Sequence, residues 1–435
     1  MKIGVYICHC GINIAATVDI EKVTAFAKAL PHVTIARNYQ YMCSDPGQDL
    51  IKNDIKNLGL DRIVVSACSP RMHEITYRNA VRSAGLNPYF FEMANIREQC
   101  SWVHPSKEEG TKKAMDLIAS AVAKVSLHEA LEENEAAVTP RVLVIGGGIA
   151  GIQASLDVAH SGFEVYVVEK SPTLGGHLTQ LDRTFPNLDE TSSILSPKLE
   201  EVQKHPLIHP LTQSEVEGVE GFVGNFKVKV KHDPRYVDPE KCTCCKKCEE
   251  VCPVRVPSEF NMGLAERPAI YLPSPTAVPF SYVIDSKSCV FLQKGECGKC
   301  KEICPESAVQ FEEVGMEFQV EVGTIVVATG YDPFDPKLKP EFGYGLYKNV
   351  MTALEFERLL SSSGPTQGKV EVNGKEPKSI VFIQCVGSRD KTVGNEYCSR
   401  VCCMFTAKQA SLVKDRIPDA RVTVCYIDIR AFGKG

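Results

Sequence analysis

The chain has 435 residues, of which 44% are apolar and 24% charged, with a net charge of −5. That length implies about three domains at roughly 100–200 residues each, and the balance is that of a globular chain rather than a disordered one. The acidic excess offers no basic face to nucleic acid, and no run of eighteen apolar residues is present to span a membrane.

The first ten residues, MKIGVYICHC, carry no leader pattern and read as a strand from the outset, so a cytoplasmic chain is expected. Nineteen cysteines in such a chain argue against a disulfide scaffold: the count is odd, the chain is long and no export signal is visible. In a reducing compartment they read as metal ligands or redox groups. They fall into three groups, Cys8 to Cys100, Cys242 to Cys304 and Cys385 to Cys425, with none between Cys100 and Cys242.

Residues 1–135 form the first predicted domain. Apolar runs at 3–7, 33–37, 62–66 and 88–93 alternate with helical patterns at 20–30, 47–57 and 75–84, and a longer amphipathic helix follows over 111–130. This alternation predicts a parallel sheet with helices on both faces. Cys8 and Cys10 follow the first strand, Cys43 the second, Cys68 the third and Cys100 the fourth. Loops beyond the carboxyl ends of parallel strands gather along one edge, where ligands bind. A cluster held by Cys10, Cys43, Cys68 and Cys100 is therefore expected, with Cys8 as a substitute for Cys10. The alternative is a set of buried structural cysteines.

Residues 131–140 read as an acidic linker. A second α/β unit, 140–236, opens with an apolar strand at 141–145 and then Gly146-Gly147-Gly148-Ile149-Ala150-Gly151, followed by a helix pattern and a strand ending at Glu169-Lys170. Strand, glycine-rich turn, helix and distal acid are the full context of a dinucleotide-binding loop. Gly146 permits the tight turn, Gly148 a close approach to pyrophosphate and Gly151 close helix packing. The helix N-terminus offers unpaired N–H groups to phosphate, and Glu169 would accept from a ribose hydroxyl. The alternative is a glycine-rich structural turn.

The insert 237–314 carries Cys242-x2-Cys245-x2-Cys248-x3-Cys252-Pro253 and a looser copy, Cys289-x7-Cys297-x2-Cys300-x3-Cys304-Pro305. The first is the run of a bacterial ferredoxin, in which the fourth cysteine of each run ligates the other cluster. One [4Fe-4S] cluster should take Cys242, Cys245, Cys248 and Cys304, and the other Cys289, Cys297, Cys300 and Cys252. Zinc is the competing reading of paired C-x2-C; the third close cysteine and the Cys-Pro ending argue against it. Cys244 is out of register. The α/β unit resumes over 315–370, with a strand at 323–328 followed by Thr329 and Gly330. A partial unit, 371–435, then runs strand, helix and strand over 378–384, 399–414 and 421–428, ending at 432–435 with no evident closing element. Cys385 stands where a nucleotide-binding unit would place its first glycine. Cys398 and Cys402, spaced i, i+4, share a helix face, and with Cys403 and Cys385 they suit a further cluster. Cys425 is expected to pack in the core. Four cubes thus use sixteen of the nineteen cysteines.

Gly175-Gly176 and the strand before Gly330 resemble the two-dinucleotide flavoproteins related to thioredoxin and glutathione reductases, in which the first Rossmann unit holds FAD. His177 is a candidate for contact with the flavin, though a lone histidine is more often structural. The whole set, with Cys8-His9-Cys10-Gly11, Cys43-Ser44, Ala67-Cys68-Ser69-Pro70-Arg71 and Arg97-Glu98-Gln99-Cys100-Ser101-Trp102-Val103-His104, resembles the flavin-containing A-type subunit of heterodisulfide reductase, in a short or split form. The resemblance implies FAD and several [4Fe-4S] clusters, flavin-based electron bifurcation in anaerobic methanogenesis, and a hetero-oligomer with a dimerised core. It implies as partners the B-type and C-type subunits of heterodisulfide reductase, a hydrogenase or formate dehydrogenase subunit, and ferredoxin. It also implies that Lys408 faces the flavin N5, the alternative being a solvated lysine. Family members usually continue well past residue 435, so the resemblance implies either a separate chain that supplies the missing half or a split or truncated protein. Two other functions stay open: a quinone-linked or confurcating flavoprotein, and an electron-transfer or assembly subunit without substrate chemistry.

Overall fold

A computed structural model describes residues 1–133 and 135–431, so the reading made of 432–435 lies outside the described residues. They divide into two compact units, Met1–Glu135 and Ala136–Gly435.

In the first unit, strands β1 (Ile3–Cys8), β2 (Val33–Tyr39), β3 (Arg62–Ala67) and β4 (Phe91–Asn95) alternate with helices α1 (Ile20–Lys28), α2 (Asp45–Leu58) and α3 (Pro70–Ser83), and α4 (Lys107–Ser126) closes the unit. Helices α2, α3 and α4 start earlier than apolar periodicity alone predicts, because capping sets their starts. Ser44 accepts from Gly47 N, Ser69 from Arg71 N and Ser106 from Glu109 N, and Pro46 and Pro70 fit the first helical positions, where no N–H is needed. All pairings are parallel, in the order β2-β1-β3-β4. The order reverses between β1 and β3, the position where such sheets bind ligands. Central β1 is buried throughout and its side chains alternate between two cores. Ile3, Val5 and Ile7 face α1 and α4, whereas Tyr6 and Cys8 face α2 and α3.

In the second unit, β5 (Arg141–Ile145), α5 (Ile149–His160), β6 (Glu164–Val168), α6 (Thr191–Lys204) and β7 (Ile208–Leu211) build a parallel sheet. An antiparallel hairpin, β8 (Ser214–Phe222) and β9 (Asn225–His232), leads into the insert. The insert is folded from short pieces: α7 (Lys247–Val251), β10 (Val256–Pro257), β11 (Glu266–Arg267), β12 (Ile270–Tyr271), β13 (Val283–Ile284), α8 (Val290–Lys294) and α9 (Lys299–Ile303). The chain then returns as β14 (Met316–Val322) and β15 (Thr324–Val327), completing the orders β14-β9-β8 and β15-β5-β6-β7. Arg235 pins the insert to the Rossmann sheet. It is buried, and its guanidinium donates to the carbonyls of Tyr282 (3.0 Å), Ser281 (2.9 Å) and Pro172 (2.8 Å). Burial pulls this guanidinium down to about 10.

The last part comprises α10 (Ala353–Leu360), β16 (Ser379–Ile383), α11 (Cys402–Arg416) and β17 (Arg421–Cys425). Phe382 and Val422 pack inward on Phe356, Leu412 and Val413. Cys425, expected in the core, is instead exposed, as are Val381 and Ile383 on the same two-stranded parallel sheet. Strand alternation turns it away from the helices. Among the described residues no helix is long and apolar enough to cross a membrane.

Candidate functional site

The turn after β5 is held by backbone contacts that only glycines allow. Gly146 has φ +106°, and a Cβ there would lie 2.3 Å from Ala328 O, at the end of β15. A Cβ on Gly151 would lie 1.9 Å from Gly146 O. Gly148, the N-cap of α5, is different: its backbone is extended, and a Cβ would meet nothing within 4 Å. The loop therefore presents open space in front of the helix N-terminus, a cradle that a side chain would fill and that fits a pyrophosphate.

Glu169 is buried beneath this loop. Its carboxylate accepts from Gly147 N (2.6 Å) and Ser171 N (2.8 Å), so it fixes the turn, and each oxygen keeps further acceptor capacity for a hydroxyl. Gly175 N donates to Gly147 O at 2.8 Å, which lays Gly175 and Gly176 beside the loop. Ile149 and Ala150 form the first turn of α5; Lys170, Thr329 and Gly330 are exposed at neighbouring strand ends. His177 meets Gln180 Oε1 (2.9 Å) and the Tyr331 carbonyl (3.1 Å), so both ring nitrogens are taken within the protein.

In the insert, two pockets are each lined by four of the cysteines in the paired runs. One contains Cys242, Cys245, Cys248 and Cys304, and the other Cys252, Cys289, Cys297 and Cys300. Each run thus gives three sulfurs to one pocket and its last sulfur to the other. Ile270 lies between the pockets and lines both. Burial, and then neighbouring cysteines, push the Cys248 and Cys300 thiols up to about 12. Alone, such thiols are protonated at neutral pH; a coordinating metal deprotonates a thiol outright. Among the described residues no three His, Cys, Asp or Glu side chains converge on one metal-ion position. Cys244 also lines the first pocket, but its thiol donates to Phe280 O at 3.4 Å.

Two expectations change. In the first unit, Cys8 and Cys68 belong to the core under α2 and α3, with Cys43 packed against it, and Cys10 packs against both this core and the opposite one. Cys100 belongs to the opposite core, where its thiol donates to Gly110 O at 3.1 Å. Counting strand ends predicts the edge but not the face. Cys8, Cys43 and Cys68 thus share one side of the sheet, and Cys10 Sγ accepts from Arg97 at 3.2 Å. The parity of Cys8 with Tyr6 in β1 was the available signal.

In the last part, Cys398 is not on the helix. Arg400, at φ +64°, interrupts the helical path, and α11 begins at Cys402. Cys385, itself at φ +62°, hydrogen-bonds to Cys402, and burial pushes its thiol up. Cys403 Sγ accepts from Arg430 N at 3.3 Å, and the Arg430 side chain reaches Cys398. One arginine thus links Cys398 to Cys403.

Lys408 on α11 is buried, which removes the solvated alternative. Its ammonium meets Glu357 Oε1 at 2.7 Å and the Arg183 carbonyl at 2.9 Å, and Gln409 Nε2 also donates to Glu357 Oε1 at 2.7 Å. Glu357 Oε2 is buried without a partner. Glu357 escaped the sequence reading because its partner is 51 positions away and no local pattern joins them. Lys408→Met would strand this carboxylate. It is expected to lower unfolding stability by roughly 3–5 kcal/mol, read by chemical denaturation, with part recovered in Lys408→Met/Glu357→Gln. A change below about 1 kcal/mol, within the range of exposed pairs, would contradict the burial described.

The parallel sheet with its glycine loop defines the class, a Rossmann-type dinucleotide-binding unit, and its residues 141–231 match the family model described as FAD dependent oxidoreductase. Over its whole length the chain is 53% identical to the A-type subunit of the H(2):CoB-CoM heterodisulfide,ferredoxin reductase of Methanothermobacter marburgensis and spans 66% of that protein. It is 48% identical to the A-type subunit of the H(2)/formate:CoB-CoM heterodisulfide,ferredoxin reductase of Methanococcus maripaludis, again spanning 66%. It is also 48% identical to a heterodisulfide reductase A-subunit-like protein of Archaeoglobus profundus, spanning 68%. The chain belongs to the A-subunit family of heterodisulfide reductases.

Proposed function

We propose that this chain is the FAD- and iron–sulfur-carrying subunit of a heterodisulfide reductase-type complex that performs flavin-based electron bifurcation. The observation that carries the reading is the pair of four-cysteine pockets in the same unit as the open dinucleotide cradle. The cysteine sets of the insert, of residues 385–403 and of the first unit each hold a [4Fe-4S] cluster or, in the insert, two, about four in all. The division is 1–135, 140–236, 237–314, 315–370 and 371–435.

The flavin supplies the exchange between electron pairs and single electrons. The chain's own residues hold it. Gly148 and the α5 N-terminus take the pyrophosphate, and Glu169 keeps the turn in place for the ribose. An ammonium has three donors; Glu357 and the Arg183 carbonyl use two on Lys408, and we assign the third to the flavin N5. Per disulfide cleaved, a hydrogenase or formate dehydrogenase partner delivers two electron pairs. Two electrons reduce ferredoxin, and two more, with two protons, convert the disulfide to two thiols on the B-type partner, with the C-type partner completing the assembly. The complex is cytoplasmic, with a dimerised core.

In the anaerobically purified complex, ferredoxin reduction is expected only while disulfide is being reduced, followed by ferredoxin absorbance with and without disulfide. Ferredoxin reduction that continues without disulfide would instead favour a simple electron-transfer role or a confurcating oxidoreductase.

A further inference from the structure

The first unit contains a hydroxyl that nothing among the described residues satisfies. Tyr77 on α3 is fully buried, its ring packed 5.9 Å from that of Phe91 and 6.4 Å from that of His73. Its oxygen has no hydrogen-bond partner. Buried polar groups are nearly always paired, so an orphan calls for an explanation. Tyr77 shares its core with Cys8 and Cys68, and Cys10 and Cys43 pack against that core. A phenol hydroxyl can donate as well as accept, so this one is free to donate into that core. The thiols stand where the strand order reverses between β1 and β3.

We propose that Cys8, Cys10, Cys43 and Cys68 hold an iron–sulfur cluster at this position, and that the Tyr77 hydroxyl donates a hydrogen bond to one of its sulfurs. Tyr77 is then a positioning residue that tunes the cluster, because hydrogen bonds to the sulfurs help set the reduction potential. Arg97, whose guanidinium donates to Cys10 Sγ at 3.2 Å, adds positive charge beside that ligand, partly offset by Glu98 at 2.7 Å. The inference rests on the reading of the N-terminal cysteines as cluster ligands and replaces Cys100 by Cys8 in that set.

The test uses the full chain, purified without oxygen, with iron and acid-labile sulfide counted and each midpoint potential titrated by electron paramagnetic resonance. Tyr77→Phe keeps the ring packing. It is expected to keep all the iron and to lower one midpoint by about 59 mV, a tenfold fall in the reduced-to-oxidised ratio at fixed potential for one electron. Cys8→Ser and the half-buried Cys43→Ser are each expected to lose about four irons, and Cys100→Ser none. Unchanged midpoints in Tyr77→Phe would refute the hydrogen bond. Iron lost from Cys100→Ser but kept in Cys8→Ser would refute the ligand set. Iron kept in all the cysteine variants would refute the underlying reading that this unit holds a cluster.

Discussion

Gly148→Val is expected to abolish FAD retention while leaving the fold intact. The backbone there is extended and accepts any residue, and a Cβ at this position meets nothing within 4 Å. The protein therefore tolerates the side chain, but the branched methyls stand where a pyrophosphate must approach the α5 N-terminus. Lost contact with those N–H groups should weaken binding by roughly 100-fold, about 2.8 kcal/mol at 1.4 kcal/mol per tenfold. Flavin absorbance of the purified chain, set beside an unchanged far-ultraviolet circular dichroism spectrum, reads the result. Gly151→Val is the control with the opposite logic: its Cβ would stand 1.9 Å from Gly146 O, so that variant should lose the fold as well. FAD retained by Gly148→Val would end the assignment of this loop.

The second large effect concerns the insert. Cys304 closes the later cysteine run but lines the pocket of the earlier one. Cys304→Ser should therefore remove about four irons; Ala308 N, which donates to Cys304 Sγ at 3.3 Å, can be accepted by the serine oxygen. Double variants identify which site was lost. Cys242→Ser/Cys304→Ser should cost no more iron than either single change, because both lie in one pocket. Cys242→Ser/Cys252→Ser should cost about eight irons, because the two lie in different pockets. The reverse pattern would mean that each run ligates its own cluster. The unmodified chain should hold about sixteen irons; about eight would confine clusters to the insert.

What the sequence reveals depends on how local the cause is. The alternation through β1 to β4 is legible because each strand is an apolar run beside its own helix, and the glycine turn because its chemistry lies within a few residues. The partnership of β14 with β9 is not legible: the insert separates them, and the alternating lysines and valines of residues 227–231 do not say what they pair with. Cys100 shows the limit of reasoning from strand ends. The loop order places it on the right edge, but strand pleat and the π-helical turn Arg97–Ser101 send its thiol to the other core. Cys398 shows another limit, because the left-handed Arg400 breaks a spacing that otherwise reads as helical. Lys408 and Glu357 are joined only by tertiary packing.

Arg235 has a consequence for timing. A guanidinium clamped at once to Pro172 on one side and to Ser281 and Tyr282 on the other denies the insert the freedom of a tethered carrier. Charge moving between the insert and the Rossmann sheet crosses a gap of constant width. Its rate should follow driving force and separation, and should be indifferent to solvent viscosity, which slows any module that must swing to deliver its cargo.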